Sequence, residues 1–242
     1  MRHERYKFTG KERDAETGYD FFGARSYSSA ITTWLSPDPL LDKYPSISSY
    51  AYCNNNPIKN IDPDGKVVVF ASGTTNDQKN LFNQAVDYLD SHGCGDRYVQ
   101  LENSIYTYTI IIDDSGISQF DGRDRDNPII YWNPGKGLKT KNGTVMSPST
   151  VLDHEMDHAV GFDEAKKQLD KGNVKAWNKF AATTKPGTSV AYGNKEEERV
   201  ITGVEQNTAQ ALGEVETGKV TRTDHSGSYV NVDGPTSNKP IE

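Results

Sequence analysis

Apolar residues follow two different periods along this chain, and each period predicts its own elements. After residue 65, leucine, phenylalanine, alanine and valine recur every three or four positions, which predicts an amphipathic helix from Asn76 to about Ser91. Short runs of valine, isoleucine and tyrosine, which favour extended backbone, surround this helix. They predict three strands, at residues 66–71, 106–112 and 128–132.

The first 65 residues have a different pattern, in which short aromatic runs alternate with turn-forming residues. We predict strands at residues 20–27 and 33–35. Asparagine, aspartate, proline and glycine cluster at residues 54–57 and 62–65, which predicts turns. Because this segment contains few apolar residues, we expect it to need partners to complete a core.

A second helix is predicted at residues 147–161. Ser147 and Pro148 are favoured at an N-cap and a first helical position, and Gly161 is typical of a helix end. On a helical wheel at ~100° per residue, one arc faces the core, a second adjoins it, and Asp153 and Asp157 face solvent. The core arc contains Leu152, Met156, Ala159 and Val160, and the adjoining arc contains Val151, His154, Glu155 and His158.

The run from His154 to His158 has the H-E-x-x-H spacing of a metal site. Residues four apart lie on one face of a helix, so both imidazoles can reach one Zn²⁺. Glu155 would lie beside the water that such an ion binds, where it can accept a proton as general base. The alternative is a pair of histidines hydrogen-bonded in an ordinary core, and the helical wheel favours the metal site.

A catalytic zinc ion usually has three protein ligands and one open position, so a third ligand is needed. Asn194 is a favoured N-cap for a helix that runs to about residue 212. Its first turn contains the candidates, with Glu197 preferred, Glu196 second and Glu198 third. Two other interpretations stay open, because acidic residues favour the N-terminal helix dipole and Glu197 is also spaced as a capping partner of Asn194.

Composition narrows the functional classes. The chain has 242 residues, 34% of them hydrophobic, a mean hydropathy of −0.75 and a net charge of −7. Because phosphate contacts need clustered lysine and arginine, and no such cluster occurs, nucleic acid is not expected as a substrate. We find no apolar run that could span a membrane and no classical signal peptide. Any export must therefore use another route, and the resemblances described below imply secretion or delivery into a target cell by a specialised secretion system.

Four motifs in residues 1–65 closely resemble the RHS repeat-associated core domain. They lie at residues 8–14, 18–25, 34–39 and 50–57. In RHS proteins this core closes a large β-cage, and the variable sequence after it is typically a toxin. At the family's junction, where a large apolar residue follows the glycine, this chain has Lys66 after Gly65.

Three motifs in residues 66–242 resemble a family of secreted effector zinc metallopeptidases. They are His154–His158, Asn194–Glu205 and Arg222–His225. The resemblance implies an α+β, zincin-like domain with a gluzincin type of site. One zinc ion per chain would be bound by His154, His158 and a glutamate of the Glu196–Glu197 pair, with Glu155 as the catalytic base.

Together the two resemblances imply the toxin of an RHS polymorphic toxin system, which hydrolyses peptide bonds in a protein of the target cell. An RHS cage and a cognate immunity protein would be its partners. Residues 224–242 are predicted to be a loosely ordered tail, in which residues 229–232 are a candidate edge strand. If this tail folds over the cleft, Arg222, His225 and Tyr229 would offer donors to the transition state. The alternative, which the composition favours, is that they are solvated tail residues.

Three alternatives stay open from the sequence. Residues 129–132 either pair with an extended substrate or form a core strand. The second segment is either an active peptidase or a binding module that has lost catalysis. Finally, the whole chain would have a structural role if it only closed an RHS cage.

Overall fold

The computed structural model describes residues 12–22, 25–37, 48, 50, 52, 68–102, 104–114 and 116–241. The chain forms two compact units, Met1–Val67 and Val68–Glu242. The turns predicted at residues 54–57 and 62–65 lie outside the described residues.

The first unit contains a four-stranded antiparallel sheet in the order β1-β2-β3-β4. Its strands are β1 (Glu12–Arg13), β2 (Asp20–Phe21), β3 (Ser26–Ser28) and β4 (Thr33–Trp34). The single strand predicted at residues 20–27 is therefore wrong, because β2 and β3 pair with each other. This pairing accompanies a buried cluster of four aromatic rings with centroids 4.7–6.0 Å apart. The rings belong to Phe22, Tyr27, Trp34 and Tyr52.

The second unit contains a four-stranded sheet in the order β5-β6-β8-β7. Its strands are β5 (Val68–Phe70), β6 (Tyr108–Ile112), β7 (Gln119–Asp121) and β8 (Ile129–Trp132). β5, β6 and β8 are parallel, whereas β7 pairs antiparallel with β8 at the edge. The three predicted strands are confirmed with shorter bounds, although residues 66 and 67 lie outside the described residues.

Because β8 has a hydrogen-bonded neighbour on each side, it is an internal strand of this sheet. The interpretation of residues 129–132 as a core strand is therefore correct, and their interpretation as an edge for substrate is wrong. Ile130 and Trp132 are fully buried in the core of the unit.

One hydrophobic core joins this sheet to three helices, which are α1 (Asn76–Ser91), α2 (Asp96–Glu102) and α3 (Pro148–Asp170). α1 has the predicted bounds, and the sequence places its apolar residues on the face that packs inward. Thr75 caps it, since its hydroxyl accepts from the N–H of Gln78 while the Gln78 side chain accepts from the N–H of Thr75.

Helix α3 begins as predicted, with Ser147 accepting a hydrogen bond from the N–H of Thr150. It does not end at Gly161 but continues to Asp170, so the predicted stop is wrong. Gly161 has no positive φ, unlike Gly172 beyond the helix end. A Cβ at position 161 would lie only 3.1 Å from Oε1 of Glu196. Glycine is needed there for close approach between helices.

The remaining elements surround α3. α4 (Val174–Thr183) packs on it, and α5 (Lys195–Val200), a π turn (Ile201–Glu205) and α6 (Gln206–Ala211) follow one another without a break. A three-stranded sheet contains β9 (Lys136–Lys139), β10 (Val145–Met146) and β11 (Ser228–Asn231) in the order β10-β9-β11. The helix predicted from Asn194 to about residue 212 is confirmed, except that no pattern predicted the π turn.

The edge strand predicted at residues 229–232 is confirmed as β11, whereas the loosely ordered tail predicted at residues 224–242 is wrong for the segment after this strand, because hydrogen bonds hold it. β11 pairs antiparallel with β9 over four residues. The carbonyl oxygen of Pro235 accepts hydrogen bonds from the N–H and the hydroxyl of Ser149, at 2.9 and 2.8 Å. Composition did not reveal these contacts because the main chain makes them.

The architecture is therefore α+β, as predicted, with several small sheets and helices that pack around α3. Among the described residues, no helix combines the length and the apolar character that a membrane crossing requires.

Candidate metal centre

Helix α3 presents His154 and His158 to a cavity of about 650 Å³. Because the two residues are four apart, their rings are neighbours on one face, with Nε2 atoms 3.1 Å apart. Both side chains are buried, with 6% and 8% of their surface exposed. With Glu155 they form a cluster whose ligand atoms all lie within 4.8 Å of one another. This cluster can hold a metal ion.

Glu197 faces the same two nitrogen atoms. Its Oε2 lies 3.4 Å from Nε2 of His154, and its Oε1 lies 3.3 Å from Nε2 of His158. Asn194, the N-cap of α5, accepts a hydrogen bond from the backbone N–H of Glu197 at 2.8 Å. The cap uses the backbone of Glu197, so its carboxylate is available to the imidazoles.

The distances between these three side chains are close to those between zinc ligands, although the two histidines are nearest to different oxygens of Glu197. Donor atoms bound to zinc at about 2.0–2.1 Å lie about 3.3–3.4 Å apart in a tetrahedron. The separations among the two Nε2 atoms and the nearest Glu197 oxygens are 3.1, 3.3 and 3.4 Å. In addition, Oε2 of Glu197 is buried without a hydrogen bond of acceptable geometry. The residues present therefore fit a zinc ion.

The two other candidate glutamates, Glu196 and Glu198, do not face the two Nε2 atoms. Oε1 of Glu196 is 3.5 Å from the opposite ring nitrogen, Nδ1 of His158, and Arg199 donates two hydrogen bonds to this carboxylate, at 3.1 and 2.7 Å. Glu198 is exposed and does not line the cavity. Of the three glutamates, only Glu197 has its carboxylate close to Nε2 of both histidines.

Glu205 belongs to the site but was not among the predicted site residues. Its Oε2 lies 2.9 Å from Nδ1 of His154, and its buried carboxylate accepts hydrogen bonds from Thr221 and Arg222. In a regular α-helix, the eighth residue after Glu197 lies about 80° away from it around the axis. Helical periodicity therefore gave no signal for Glu205, and only the unpredicted π turn brings it to His154.

Glu155 is turned toward the edge strand β7. Its Oε2 accepts a hydrogen bond from the backbone N–H of Phe120 at 2.7 Å. Phe120 lies in the edge strand β7 and lines the cavity, so its N–H can reach Glu155 there. One carboxylate oxygen of Glu155 is thus fixed beside the two histidines.

The carboxylates around the imidazoles shift several pKa values. Burial disfavours charge on His154, but Glu197 and Glu205 outweigh burial and raise the pKa of this imidazole to about 10. The pKa of His158 is also raised, since Glu196 and Glu197 outweigh its burial. Burial acts against ionisation of Glu197, but the two imidazoles hold its pKa far below the ordinary value. The surrounding carboxylates therefore favour the protonated form of both imidazoles when no metal is bound.

An adjacent face of α3 carries Asp153 and Asp157, which were predicted to face solvent. They are buried, with 0% and 6% of their surface exposed, so that prediction is wrong. Arg97 of α2 lies 3.6 Å from Asp153 and 3.5 Å from Asp157, and Arg199 donates to Asp157 at 2.6 Å. Neighbouring helices cover this face and supply arginines. Burial outweighs Arg97 and raises the pKa of Asp153 to about 6.

The C-terminal segment adds polar side chains to the cavity. Arg222 is buried against Glu205, and Nε2 of the exposed His225 lies 3.3 Å from Oε2 of Glu197. The hydroxyl of Tyr229 lies 3.3 Å from the carbonyl oxygen of Ser118. Of the two interpretations of these residues, the structure supports the one that places them at the cleft.

Comparisons with known proteins cover only a small part of the chain. No family model matches it, and no solved structure matches it. Over 67 residues, which are 28% of this chain and 2% of the relative, it is 39% identical to salivary gland surface protein 1 of Aedes aegypti. Over 72 residues, 27% of this chain and 3% of the relative, it is 39% identical to tRNA nuclease WapA of Bacillus subtilis strain 168.

A further relative is the tRNA(Glu)-specific nuclease WapA of Bacillus subtilis subsp. natto, which is 38% identical over 77 residues. This alignment covers 29% of the present chain and 3% of the relative. The chain thus spans only 2–3% of the length of the curated relatives it matches. The activities in their names are those of the relatives.

Proposed function

We propose that the second unit is a zinc-dependent endopeptidase with a zincin-like fold. The observation that carries this proposal is the convergence of Nε2 of His154, Nε2 of His158 and the carboxylate of Glu197 at separations of 3.1–3.4 Å. A second carboxylate, that of Glu155, belongs to the same cluster and is not needed as a ligand. Three ligands and a nearby base are the parts that metal-assisted hydrolysis requires.

Each side chain has a defined part in the proposed reaction. Zinc, when bound, lowers the pKa of a water molecule and polarises the carbonyl group that is attacked. Glu155 accepts the proton of the attacking water and passes it to the leaving amine. The N–H of Phe120 holds one oxygen of Glu155, which leaves the other oxygen for the proton. His225, exposed beside Glu197, is placed to donate toward the oxygen that gains negative charge.

The cavity suits an extended peptide. β7 is an edge strand that lines the cavity, and an extended chain can add beside such an edge through main-chain groups other than the N–H of Phe120, which Glu155 already accepts. Beyond His158 one wall is aromatic, with ring centroids 5.5–6.4 Å apart, and it suits an apolar side chain of the substrate. Phe120, Phe162, Trp177 and Phe180 form this wall.

In the proposed context, the first unit is an RHS core segment and the second is the toxin that follows it. The motifs of residues 1–65 support the first part, and the metal-site residues support the second. The toxin would be delivered into a target cell, where it cleaves a protein, and a cognate immunity protein would protect the producer. The relatives named as WapA nucleases are compatible with a hydrolytic toxin, although the nuclease activity in their names differs from the peptidase activity proposed for this chain.

A ribonuclease is the second candidate, because relatives of this chain are named tRNA nucleases. Two observations weigh against it. The net charge of −7 opposes binding of a polyanion, and the cavity contains the carboxylates of Glu155, Glu196, Glu197 and Glu205. Most of the chain also lies outside the aligned segments.

The deciding experiment measures metal content and cleavage together. Zinc-loaded chain is incubated with tRNA and, separately, with a cell lysate in which new protein N-termini are identified by mass spectrometry. We expect one zinc ion per chain, new N-termini, intact tRNA and inhibition by a chelator. Glu155→Gln should keep the zinc and reduce cleavage at least ~100-fold, whereas Glu164→Gln, an exposed change on the same helix, should not.

Each other outcome identifies a different alternative. Cleavage of tRNA without new N-termini would favour the ribonuclease. Bound zinc without any cleavage would favour a binding module. A structural segment that only closes an RHS cage should be harmless when expressed inside cells, whereas the peptidase should be toxic and Glu155→Gln should relieve its toxicity.

A further inference from the structure

We propose that Glu205 is a positioning residue of the metal centre, which keeps the imidazole of His154 protonated on Nδ1 so that Nε2 is free for the metal. This inference rests on the proposed function, because it assumes that a metal ion binds between the two histidines. It assigns a role to a buried glutamate that neither binds the metal nor touches the substrate.

The contacts of Glu205 support this role. Its Oε2 is 2.9 Å from Nδ1 of His154. Nδ1 of His154 is buried and has no hydrogen bond of acceptable geometry, so Glu205 is the carboxylate beside an otherwise unsatisfied ring nitrogen. Arg222 donates hydrogen bonds from Nε and Nη2 to the two oxygens of this carboxylate, and the hydroxyl of Thr221 donates to Oε1 at 3.0 Å. With its other acceptor positions used, the carboxylate is a fixed acceptor for the N–H of His154.

The π turn is the local feature that brings Glu205 to His154. Two turns of an α-helix contain about seven residues, so Val204 would share the face of Glu197 if the helix were regular. A π turn contains one more residue, and this moves the shared position to Glu205. The burial agrees, because Glu205 is 1% exposed while Val204 is only partly buried. Glu197 and Glu205 therefore approach His154 from the same helix and reach opposite ring nitrogens.

The second histidine has a parallel arrangement. Nδ1 of His158 lies 3.5 Å from Glu196, and Arg199 holds that carboxylate as Arg222 holds Glu205. Carboxylates behind metal-binding imidazoles fix the tautomer and the ring orientation. The shorter distance and the deeper burial at His154 predict that Glu205 has the larger effect of the two.

The competing explanation is that Glu205 only neutralises the buried Arg222. The two explanations differ in what they predict for the ring of His154. A purely neutralising carboxylate need not set the position of the imidazole proton, whereas a positioning carboxylate must place it on Nδ1. The tautomer can be read from long-range ¹H–¹⁵N spectra of histidine-labelled protein.

The test compares wild type, Glu205→Gln and Glu216→Gln, an exposed control. In zinc-loaded wild type we expect Nδ1–H at His154 and a metal-bound Nε2. Glu205→Gln should weaken zinc binding about 10- to 100-fold in a chelator competition and should shift the His154 ring signals. The control should change neither quantity.

The outcomes separate this inference from the proposed function. If wild type binds no zinc, the proposed function fails. If wild type binds zinc but Glu205→Gln retains the wild-type affinity and ring signals, only the inference on Glu205 is overturned. Should Glu205→Gln fail to fold, the wild-type spectrum still decides, because a proton on Nε2 of His154 or a metal on Nδ1 contradicts the inference.

Discussion

The two faces of helix α3 are built from neighbouring residues but satisfy their charges in different ways. On one face, His154 and His158 meet the carboxylates of glutamates. On the other, Asp153 and Asp157 meet the guanidinium groups of Arg97 and Arg199. A buried charge needs an opposite charge nearby, and the second face obtains it from Arg97 and from Arg199, which also pairs with Glu196.

On the histidine face, the chain does not supply a positive charge for every buried carboxylate. Arg199 and Arg222 pair with Glu196 and Glu205, but among the described residues no lysine or arginine pairs with Glu155 or Glu197. Two protonated imidazoles or one divalent cation would balance these two carboxylates. A metal site can therefore be identified by negative charge that the protein leaves uncompensated, in addition to the spacing of the ligands.

The largest effect is expected from removing one of the two uncompensated carboxylates on the histidine face. Glu197→Gln should weaken zinc binding at least ~100-fold, because it removes a charged ligand from a three-ligand site. Glu198→Gln, the neighbouring exposed position, is the matched control and should bind zinc like wild type. Dissociation constants from competition with a chromogenic chelator measure both. Equal affinities for the two variants would contradict the role given to Glu197.

A substitution on the aspartate face should lower the stability of the fold and leave the zinc affinity nearly unchanged. Arg97→Gln removes the cation that faces Asp153 and Asp157, so we expect the free energy of unfolding to fall by about 1–3 kcal/mol. The estimate is below that for a fully buried pair because the Arg97 side chain is 22% exposed. Urea denaturation measures the loss. Zinc affinity should stay within about threefold of wild type, and a larger change would show that the two faces are coupled.

A smaller effect is expected from pH in the metal-free protein. The pKa of His154 is raised from 6.5 to about 10, so protonation of this group stabilises the folded state below pH 6.5. That contribution is lost as the pH rises through 10. We therefore expect the free energy of unfolding in chelator to fall by about 1–2 kcal/mol between pH 6.5 and pH 9.5.

Zinc should reverse this trend, because protons compete with the metal for the imidazoles. The rise in melting temperature on addition of zinc should be larger at pH 8 than at pH 6. Calorimetric scans with and without zinc at the two pH values measure it. A stabilisation by zinc that is larger at pH 6 would contradict the assignment of the histidines as ligands.

The sequence predicted the parts of the site that depend on local geometry. His154, Glu155 and His158 follow from residue spacing on one helix. The N-cap at Asn194 fixes the turn that contains Glu196, Glu197 and Glu198, but the choice among these three depends on tertiary contacts. α1 and the internal strands followed from periodicity for the same reason, since their patterns reflect one buried face.

The parts that the sequence did not reveal depend on contacts between distant segments. Asp153 and Asp157 looked like solvent-facing residues because nothing in their own helix shows that Arg97 and Arg199 cover them. Gly161 looked like a helix end because its role is to let Glu196 approach. The π turn, Glu205 and the order of the segment after β11 were missed for the same reason, since the contacts of Glu205 with His154 and of Pro235 with Ser149 are tertiary.

The most direct test of the central claim is an anomalous difference map, recorded at the zinc edge from crystals of the zinc-loaded chain. We predict one peak per chain, about 2.0–2.1 Å from Nε2 of His154, Nε2 of His158 and one oxygen of Glu197. An absent peak, or a peak whose carboxylate ligand is Glu196 or Glu205, would contradict this account of the site.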